Sequence, residues 1–352
     1  MSKDAGLAAF ALEMPPQIPR TEYSAATHWA LVKAVTDISI DTNSTPAERQ
    51  AASSAFAAAW DYGFVYNTPL DEFIFGRKRT CMGHATYAAD GEDYSDEIYS
   101  LFEEPDEVFA WDFDTEYGPR DAEEERLWFN QNYAAQLERY PNAANTTGVY
   151  VTCVSGLLEL CGWDALLLAA GKDPDAFGEF ARRYACWIRP TFEGLAACDA
   201  PLVSIHDDIV WSSGPFIHPD WYRRFVFPIY EKLFAPLQEA GKKILFICDG
   251  CYDAFVDDVA ACGVNGFVME PLTNLAAMAQ RYGKTHVLVG NADTRVLLQG
   301  AKQDIYDEVK RCMDIGRNCP GFIMAVGNHI PSNTPVENAL FYNDCYKRLS
   351  RR

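Results

Sequence analysis

The chain has 352 residues, of which 49% are hydrophobic and 23% charged, the proportions of a folded globular protein rather than a disordered or fibrous one. Thirty basic against fifty acidic residues give a formal net charge of −20, which disfavours nucleic acids and anionic membranes as partners because both require basic surfaces. Eleven scattered cysteines, no apolar run long enough to span a bilayer and an N-terminus unlike a signal peptide favour a reduced, soluble, cytoplasmic protein.

Residues 1–60 are expected to form an N-terminal helical extension. The alanine-rich stretches 27–35 and 46–62 are predicted helices, and a polar turn separates them. Ser44 or Thr45 is placed to cap the second helix, because a side-chain oxygen there can accept a hydrogen bond from a free backbone N–H.

The segment 90–125 is strongly acidic. It contains sixteen Asp or Glu residues and a single basic residue, Arg120, and seven aromatic residues are interspersed among them. The aromatic residues indicate a folded insertion rather than a disordered tail. The insertion is either a solvated face or a docking surface for a partner protein.

From about residue 61 to 352, short apolar runs alternate with amphipathic helices. Buried parallel strands joined by crossover helices produce this pattern. The expected fold class is therefore α/β, as a single (β/α)8 TIM-type barrel. No glycine-rich dinucleotide or phosphate-binding motif follows any run, which disfavours a Rossmann-type sheet. The predicted strands are 64–66, 148–152, 202–205, 244–247, 266–269, 287–289 and 322–326.

Polar side chains follow these strands, at the ends that converge on one mouth of such a barrel. A single polar residue after a strand is usually a cap or a turn, but five consecutive strands share the feature here. We therefore expect a functional site at the mouth. The strand-end residues are Asn67, Thr152, Cys153, His206, Asp207, Asp208, Asp249, Glu270, Asn291, Asp293, Asn328 and His329.

Carboxylates gathered at one mouth repel one another, so some must be protonated, paired or bound to a metal. Because histidines are present, zinc is the expected metal, since mixed nitrogen and oxygen ligation suits it and leaves an open position. The preferred ligands are Asp249, Glu270 and His329, with Asp293 and His206 in reserve.

Two further candidates near the site are weaker. The motif Cys248-x-x-Cys251 lacks a second pair, and Cys248 is expected to point away from the barrel lumen because its neighbour Asp249 points into it, so packed thiols are favoured over zinc or redox use. Glu308 lies on the helix after Asp293 and is expected to face solvent.

The substrate pocket is expected to be partly aromatic. His84 lies in the stretch 82–87, which is typical of a loop that closes over a pocket. Aromatic side chains near the predicted mouth would suit a flat apolar ring, although such residues are more often plain core. The candidates are Tyr23, Trp29, Trp211 and Phe216, with Asn328 as a polar member of the pocket.

Several segments resemble the uroporphyrinogen decarboxylase superfamily. The first are HDDIVWSSGPFIHPDWYRRFVFPIY (206–230) and GKKILFICDG (241–250). Five more are similar to the corrinoid-dependent methyltransferase branch, and within it to the first methyltransferase of aryl methyl ether O-demethylases. They are MGHATYAADG (82–91), GWDALLLAAGKDP (162–174), GFVMEP (266–271), KTHVLVGNADTR (284–295) and PGFIMAVGNHIPSNTPVENAL (320–340).

The chain departs from two patterns of this superfamily. The decarboxylases carry an arginine-rich N-terminal segment that grips tetrapyrrole carboxylates, whereas the corresponding EMPPQIPRTEYS has only Arg20. The coenzyme M methyltransferases bind zinc through His-x-Cys and a later Cys, and those positions resemble Ile247, Asp249 and Asn328 here. The resemblance therefore implies an oxygen-rich zinc site suited to an ether rather than a thiol.

The resemblance implies demethylation of phenyl methyl ethers such as vanillate or guaiacol. The methyl group would pass to the Co(I) corrinoid of a partner protein, because this chain shows no corrinoid-binding domain. A metal or an acid would activate the ether oxygen. The alternatives are a decarboxylase or lyase, a methyltransferase for another small methyl donor, and a non-catalytic binding protein. The expected catalytic residues are His206, Asp207, Asp208, Asn291 and Asp293.

Overall fold

The structure is a computed structural model that describes residues 2–41, 43–68, 71–80 and 100–352. The described residues form eight strands, and helices separate all of them except β2 and β3. The strands are β1 Phe64–Val65, β2 Ala144–Asn145, β3 Thr147–Val149, β4 Leu202–His206, β5 Lys243–Cys248, β6 Gly266–Met269, β7 Val287–Val289 and β8 Phe322–Ile323. The helices are α1 Ser2–Phe10, α2 Trp29–Thr36, α3 Pro46–Ala59, α4 Asp71–Phe75, α5 Pro105–Ala110, α6 Phe113–Tyr117, α7 Ala122–Arg139, α8 Val154–Lys172, α9 Pro174–Ala197, α10 Pro219–Trp221, α11 Phe227–Glu239, α12 Val256–Ala261, α13 Leu275–Tyr282, α14 Thr294–Gln299, α15 Lys302–Gly316 and α16 Val336–Leu349.

Strands β3 to β8 form one parallel sheet in chain order, and β1 pairs in parallel with β2. The segment 19–21 connects the two ends of this arrangement. The N–H of Thr21 donates to the carbonyl of Met324 beyond β8, and the N–H of Gly63 before β1 donates to the carbonyl of Arg20. The strands therefore run around a ring, and the predicted α/β barrel is confirmed.

The barrel has two separate apolar cores. The outer core lies between the strands and the surrounding helices. The inner core consists mainly of alternate strand residues, because successive side chains of a strand point to opposite faces. It is closed at one end by Ala9 and Phe10 of α1, and its other members are Phe64, Ala144, Leu202, Leu245, Ile247, Val268, Val287, Val289, Ile323 and Ala325.

Helix α8 is apolar enough, by length and composition alone, to span a membrane. However, 72% of its most apolar window is buried inside the protein, so its composition is that of a core helix. Helix α3 begins after Thr45, whose side chain forms a capping box with Glu48, as the sequence allowed.

Three differences between the observed and the predicted strands exceed one residue at an end. The predicted strand 148–152 ends earlier, at Val149, and the predicted strand 322–326 ends at Ile323, with Val326 in an isolated bridge. Strand β2 was not predicted. In the acidic segment, the described part from 100 to 125 is folded: α5 packs against α8 and α9, and α6 packs against α9.

Candidate functional site

A histidine and two aspartates form a compact group at the barrel mouth, the end where the strands' carboxyl ends meet. His206 ends β4, Asp208 lies two residues later, and Asp249 directly follows β5. One potential ligand atom from each residue lies within 4.8 Å of the other two. We call these three residues the mouth cluster. Its imidazole and two carboxylates are a donor set that suits zinc.

The alternation of side chains along the strands explains the membership of this cluster. Leu202 faces the lumen, so His206 and, beyond the strand, Asp208 continue on the lumen side, whereas Asp207 points outward. In β5, Ile247 faces the lumen, and Asp249 continues that face. The strand pattern therefore separates the two adjacent aspartates into different environments.

Asp207 is fully buried against the beginning of α8. Its carboxylate accepts the backbone N–H groups of Cys153, Val154 and Ser155, at 3.1, 3.0 and 2.5 Å, and the hydroxyl of Tyr230. Through these contacts, Asp207 holds the end of β4 against the beginning of α8. Burial raises the pKa of its carboxyl group to about 6, against the effect of the four donors.

Hydrogen bonds connect the members of the mouth cluster. The Asp208 Oδ1 atom lies 2.9 Å from His206 Nε2 and accepts the N–H of Asp249 at 2.8 Å. Glu270 follows β6, the strand that pairs with β5, and therefore lies next to Asp249 at the mouth. It accepts the amide of Asn328 at 2.5 Å, and the same amide donates to Asp249 Oδ2 at 3.3 Å. Asn328 therefore bridges Glu270 to the mouth cluster.

The mouth cluster is strongly coupled electrostatically. Burial opposes the charged form of both His206 and Asp208, but their mutual attraction raises the pKa of His206 above 6.5 and lowers that of Asp208. Burial and the negative charge of Asp208 raise the pKa of Asp249 well above its ordinary value. Burial and the charge of His206 lower the pKa of His329 to about 4. A cation bound at the mouth cluster would lower the pKa of Asp249 again, because it favours the charged carboxylate.

Aromatic rings lie against two histidines at the mouth. The ring of Tyr150 lies against that of His206, with centroids 4.1 Å apart, and Tyr23 contacts the ring of His329 edge-on at 4.9 Å. A second group consists of Trp163, Trp211 and Phe216, whose rings contact one another at centroid distances of 5.3 to 5.4 Å. Such surfaces suit a flat apolar ring.

A sequence model of the uroporphyrinogen decarboxylase (URO-D) family matches residues 138–349, more than half of the chain. The chain belongs to the uroporphyrinogen decarboxylase family. It is 33% identical over 140 residues to uroporphyrinogen decarboxylase from Syntrophotalea carbinolica, which is 40% of each chain. It is 26% identical over 178 residues, 51% of each chain, to the enzyme from Pelobacter propionicus. The chain thus matches about half or less of the length of these curated relatives.

Among solved structures, the chain is similar to a methyltransferase from Methanosarcina mazei. The likeness covers 99% of this chain and 98% of that one, with a TM-score of 0.68 and 16% sequence identity. At this identity the comparison shows a common fold. This likeness of fold also covers the N-terminal residues that the family model does not match.

The predicted metal ligands are only partly brought together. Asp249 belongs to the mouth cluster, whereas the described contacts of Glu270 are with Asn328 and with the N–H of Gly250, at 2.6 Å. His329 packs its ring against Tyr23. Among the described residues, the group whose ligand atoms lie within 4.8 Å of one another joins His206 and Asp208 to Asp249, and Glu270 and His329 remain predicted ligands outside that group.

Two predicted catalytic residues lie beside the mouth cluster rather than in it. The Asn291 amide donates to the carbonyls of Glu270 and Thr273, so it holds the loop after β6. Asp293 caps α14 and is paired with Arg295. The expectation that Glu308 faces solvent was wrong, because its side chain is 13% exposed, pairs with Arg311 and accepts the N–H of Asp293.

Cys248 is buried, its thiol facing the carbonyl of Asp249, and Cys251 is half-buried. Neither belongs to a group of metal-ligating atoms among the described residues. His84 lies outside the described residues.

The sequence analysis missed Tyr150. Because β3 ends at Val149, Tyr150 is the first residue beyond the strand, but the predicted strand ran on to 152 and placed Thr152 and Cys153 at its end. A predicted strand ending at Val149 would have identified Tyr150, since the position after a strand is the signal that identified His206 and Asp249.

Proposed function

We propose that this protein is a methyltransferase that removes the methyl group from small methyl ethers, such as methoxyarenes, and transfers it to the Co(I) corrinoid of a partner protein. The observation that carries the proposal is the mouth cluster of His206, Asp208 and Asp249, with the ring of Tyr150 against His206. The methyltransferase fold over nearly the whole chain and the family assignment support it.

Cleavage of an aryl methyl ether requires help at the ether oxygen. The C–O bond breaks as the methyl group leaves, and the oxygen keeps the electron pair, so a phenolate forms unless the oxygen is coordinated or protonated. His206, Asp208 and Asp249 would hold zinc, which when bound supplies a Lewis acid at that oxygen.

The protein's own groups supply the remaining chemistry. Without a bound cation, burial and the charge of Asp208 favour the protonated form of Asp249, because they raise its pKa well above the usual value. A protonated Asp249 can donate to the ether oxygen, which leaves as the neutral phenol. Tyr150 and Tyr23 would hold the ring, and the group of Trp163, Trp211 and Phe216 extends the apolar wall.

The acidic segment 90–125 is a proposed docking surface for the corrinoid protein. In its described part, α5 and α6 pack against α8 and α9 through buried aromatic residues, while many of its carboxylates remain exposed. A partner with a basic face would complement this charge. The proposed location of the protein is the cytoplasm, where free cysteines such as those of the described residues stay reduced.

Decarboxylation is the second candidate, because the curated relatives are uroporphyrinogen decarboxylases. Such a substrate needs cations to hold its carboxylates. Arg20, the single arginine of the segment that resembles the decarboxylase grip, is fully buried. Its terminal nitrogens bond to Asn343 at 2.6 Å and to Glu22 at 2.8 Å, so they are committed within the fold. This arrangement favours methyl transfer.

The proposal is tested by metal analysis of protein purified without chelators, together with methyl transfer from guaiacol to Co(I) cobalamin. We expect close to one zinc per chain, lost together with activity in His206→Ala and Asp249→Ala. Glu193→Gln, on the exposed face of α9, is the control and should retain both. A metal-free protein that transfers methyl from no methoxyarene, or that releases CO2 from a tetrapyrrole carboxylate, would contradict the proposal.

A further inference from the structure

A small polar cavity lies beside the mouth, between the N-terminal helices, β1 and α7. Its volume is about 120 Å³, comparable with cavities that hold several waters or a small ring. We call it the tyrosine cavity. Small and apolar side chains complete its wall, and its polar lining residues are Glu22, Tyr23, Tyr62, Tyr66, Gln136 and Tyr140.

Two buried polar atoms in this wall have no hydrogen-bond partner among the described residues. Tyr62 is 4% exposed and Gln136 is 8% exposed, yet neither the Tyr62 hydroxyl nor the Gln136 Oε1 atom makes a hydrogen bond. Leaving such a group unsatisfied costs about 1–3 kcal/mol, so buried polar atoms normally face a protein group, a water or a ligand. The Tyr62 hydroxyl and the Gln136 carbonyl oxygen together suit a ligand that both accepts and donates hydrogen bonds.

The tyrosine cavity shares a wall with the proposed substrate site. Tyr23 and Tyr66 line the cavity, and their rings contact each other at 5.8 Å. Tyr23 also contacts the ring of His329, and both tyrosines lie close enough to Asp249 to feel its charge. A molecule whose reacting end lies at Asp249 can therefore extend towards the cavity.

The described wall of the tyrosine cavity carries no cationic side chain. Among the described residues that line it, the only charged side chain is Glu22, which accepts from Arg20, from Tyr342 and from the N–H of Val326. The segment 81–99 is outside the described residues, but its sequence contains no Lys or Arg and five acidic residues. A carboxylate would therefore find no positive partner here, and burying it unpaired is costly.

We propose that the tyrosine cavity binds the uncharged, hydrogen-bonding end of the methyl donor through Tyr62 and Gln136, and that donors with a carboxylate at this end are rejected. The inference rests on the proposed function, since it names the substrate class of the same site. It selects methoxyphenols over methoxybenzoates.

The test compares 4-methoxyphenol, anisole and 4-methoxybenzoate, by calorimetric binding and by methyl transfer to Co(I) cobalamin. The wild-type protein should bind 4-methoxyphenol about two- to tenfold more tightly than anisole, the effect of one hydrogen bond, and 4-methoxybenzoate least tightly. Tyr62→Phe and Gln136→Met should remove the preference for the phenol and leave anisole binding unchanged. Tyr346→Phe is the control, because its hydroxyl donates to Ile18 outside the cavity.

Equal binding of all three compounds, or equal effects of Tyr62→Phe on the phenol and on anisole, would overturn the inference and leave the cavity as a water site only. Failure of the proposed function has a different signature. In that case no compound is demethylated, while binding of 4-methoxyphenol still depends on Tyr62.

Discussion

Asp207 and Asp208 are adjacent in sequence, and their replacement should have opposite consequences. In Asp207→Ala, three backbone N–H groups at the start of α8 and the Tyr230 hydroxyl lose their acceptor. Asp207 is fully buried, so water cannot readily replace it. At the lower end of the usual cost, about 1–1.5 kcal/mol for each of the four unsatisfied donors, the expected loss in the free energy of unfolding is about 4–6 kcal/mol.

Asp207→Asn should have an intermediate effect of about 2 kcal/mol, because the amide supplies one oxygen but turns its NH2 group towards a donor. Asp208→Ala is the matched control. Asp208 is half-buried, and its loss also relieves repulsion with Asp249, so stability should change by no more than about 1.5 kcal/mol, whereas zinc binding should be abolished.

Urea unfolding followed by tryptophan fluorescence measures these differences, with zinc content determined on the same samples. The reasoning would be refuted if Asp207→Ala unfolded at the wild-type urea concentration, or if Asp208→Ala proved the more destabilising of the two. A stable, zinc-loaded Asp207→Asn without methyl transfer would instead place Asp207 in the chemistry, as the sequence analysis expected.

Two further predictions follow from the site and the barrel. Zinc binding should release about one or two protons, and the zinc affinity should rise with pH through the neutral range. The reason is that metal-free His206 and Asp249 both have raised pKa values and must lose their protons to coordinate. Calorimetry in buffers of different ionisation enthalpy measures the proton release, and a pH-independent zinc affinity would contradict the prediction. Gly148→Ala should prevent correct folding, since its Cβ would lie 1.8 Å from the Ser204 carbonyl oxygen in β4. Gly171→Ala, which has open space around it in α8, should instead stabilise the protein by up to about 1 kcal/mol. Thermal unfolding distinguishes these outcomes, and a wild-type melting temperature for Gly148→Ala would show that β3 and β4 lie further apart.

The barrel and the location of its site could be predicted from sequence because both depend on local patterns. Runs of four to six apolar residues between helices indicate buried parallel strands, and parallel strands bring their carboxyl ends to one edge. That argument places His206, Asp249 and Glu270 at a common mouth. The abundance of acidic residues at these positions likewise predicted strong coupling between carboxylates.

Only the tertiary structure decided which of these residues share an environment. The alternation that turns Cys248 away from the lumen also turns Asp207 away from Asp208. What Asp207 contacts there depends on the N-terminus of α8, because Ser155 of that helix, 52 residues away in sequence, donates its N–H to Asp207. The role of Arg20 in linking β8 to β1 is equally non-local. Sequence periodicity determines which face of its own strand a side chain occupies, whereas the partner it meets there is set by the packing of distant segments.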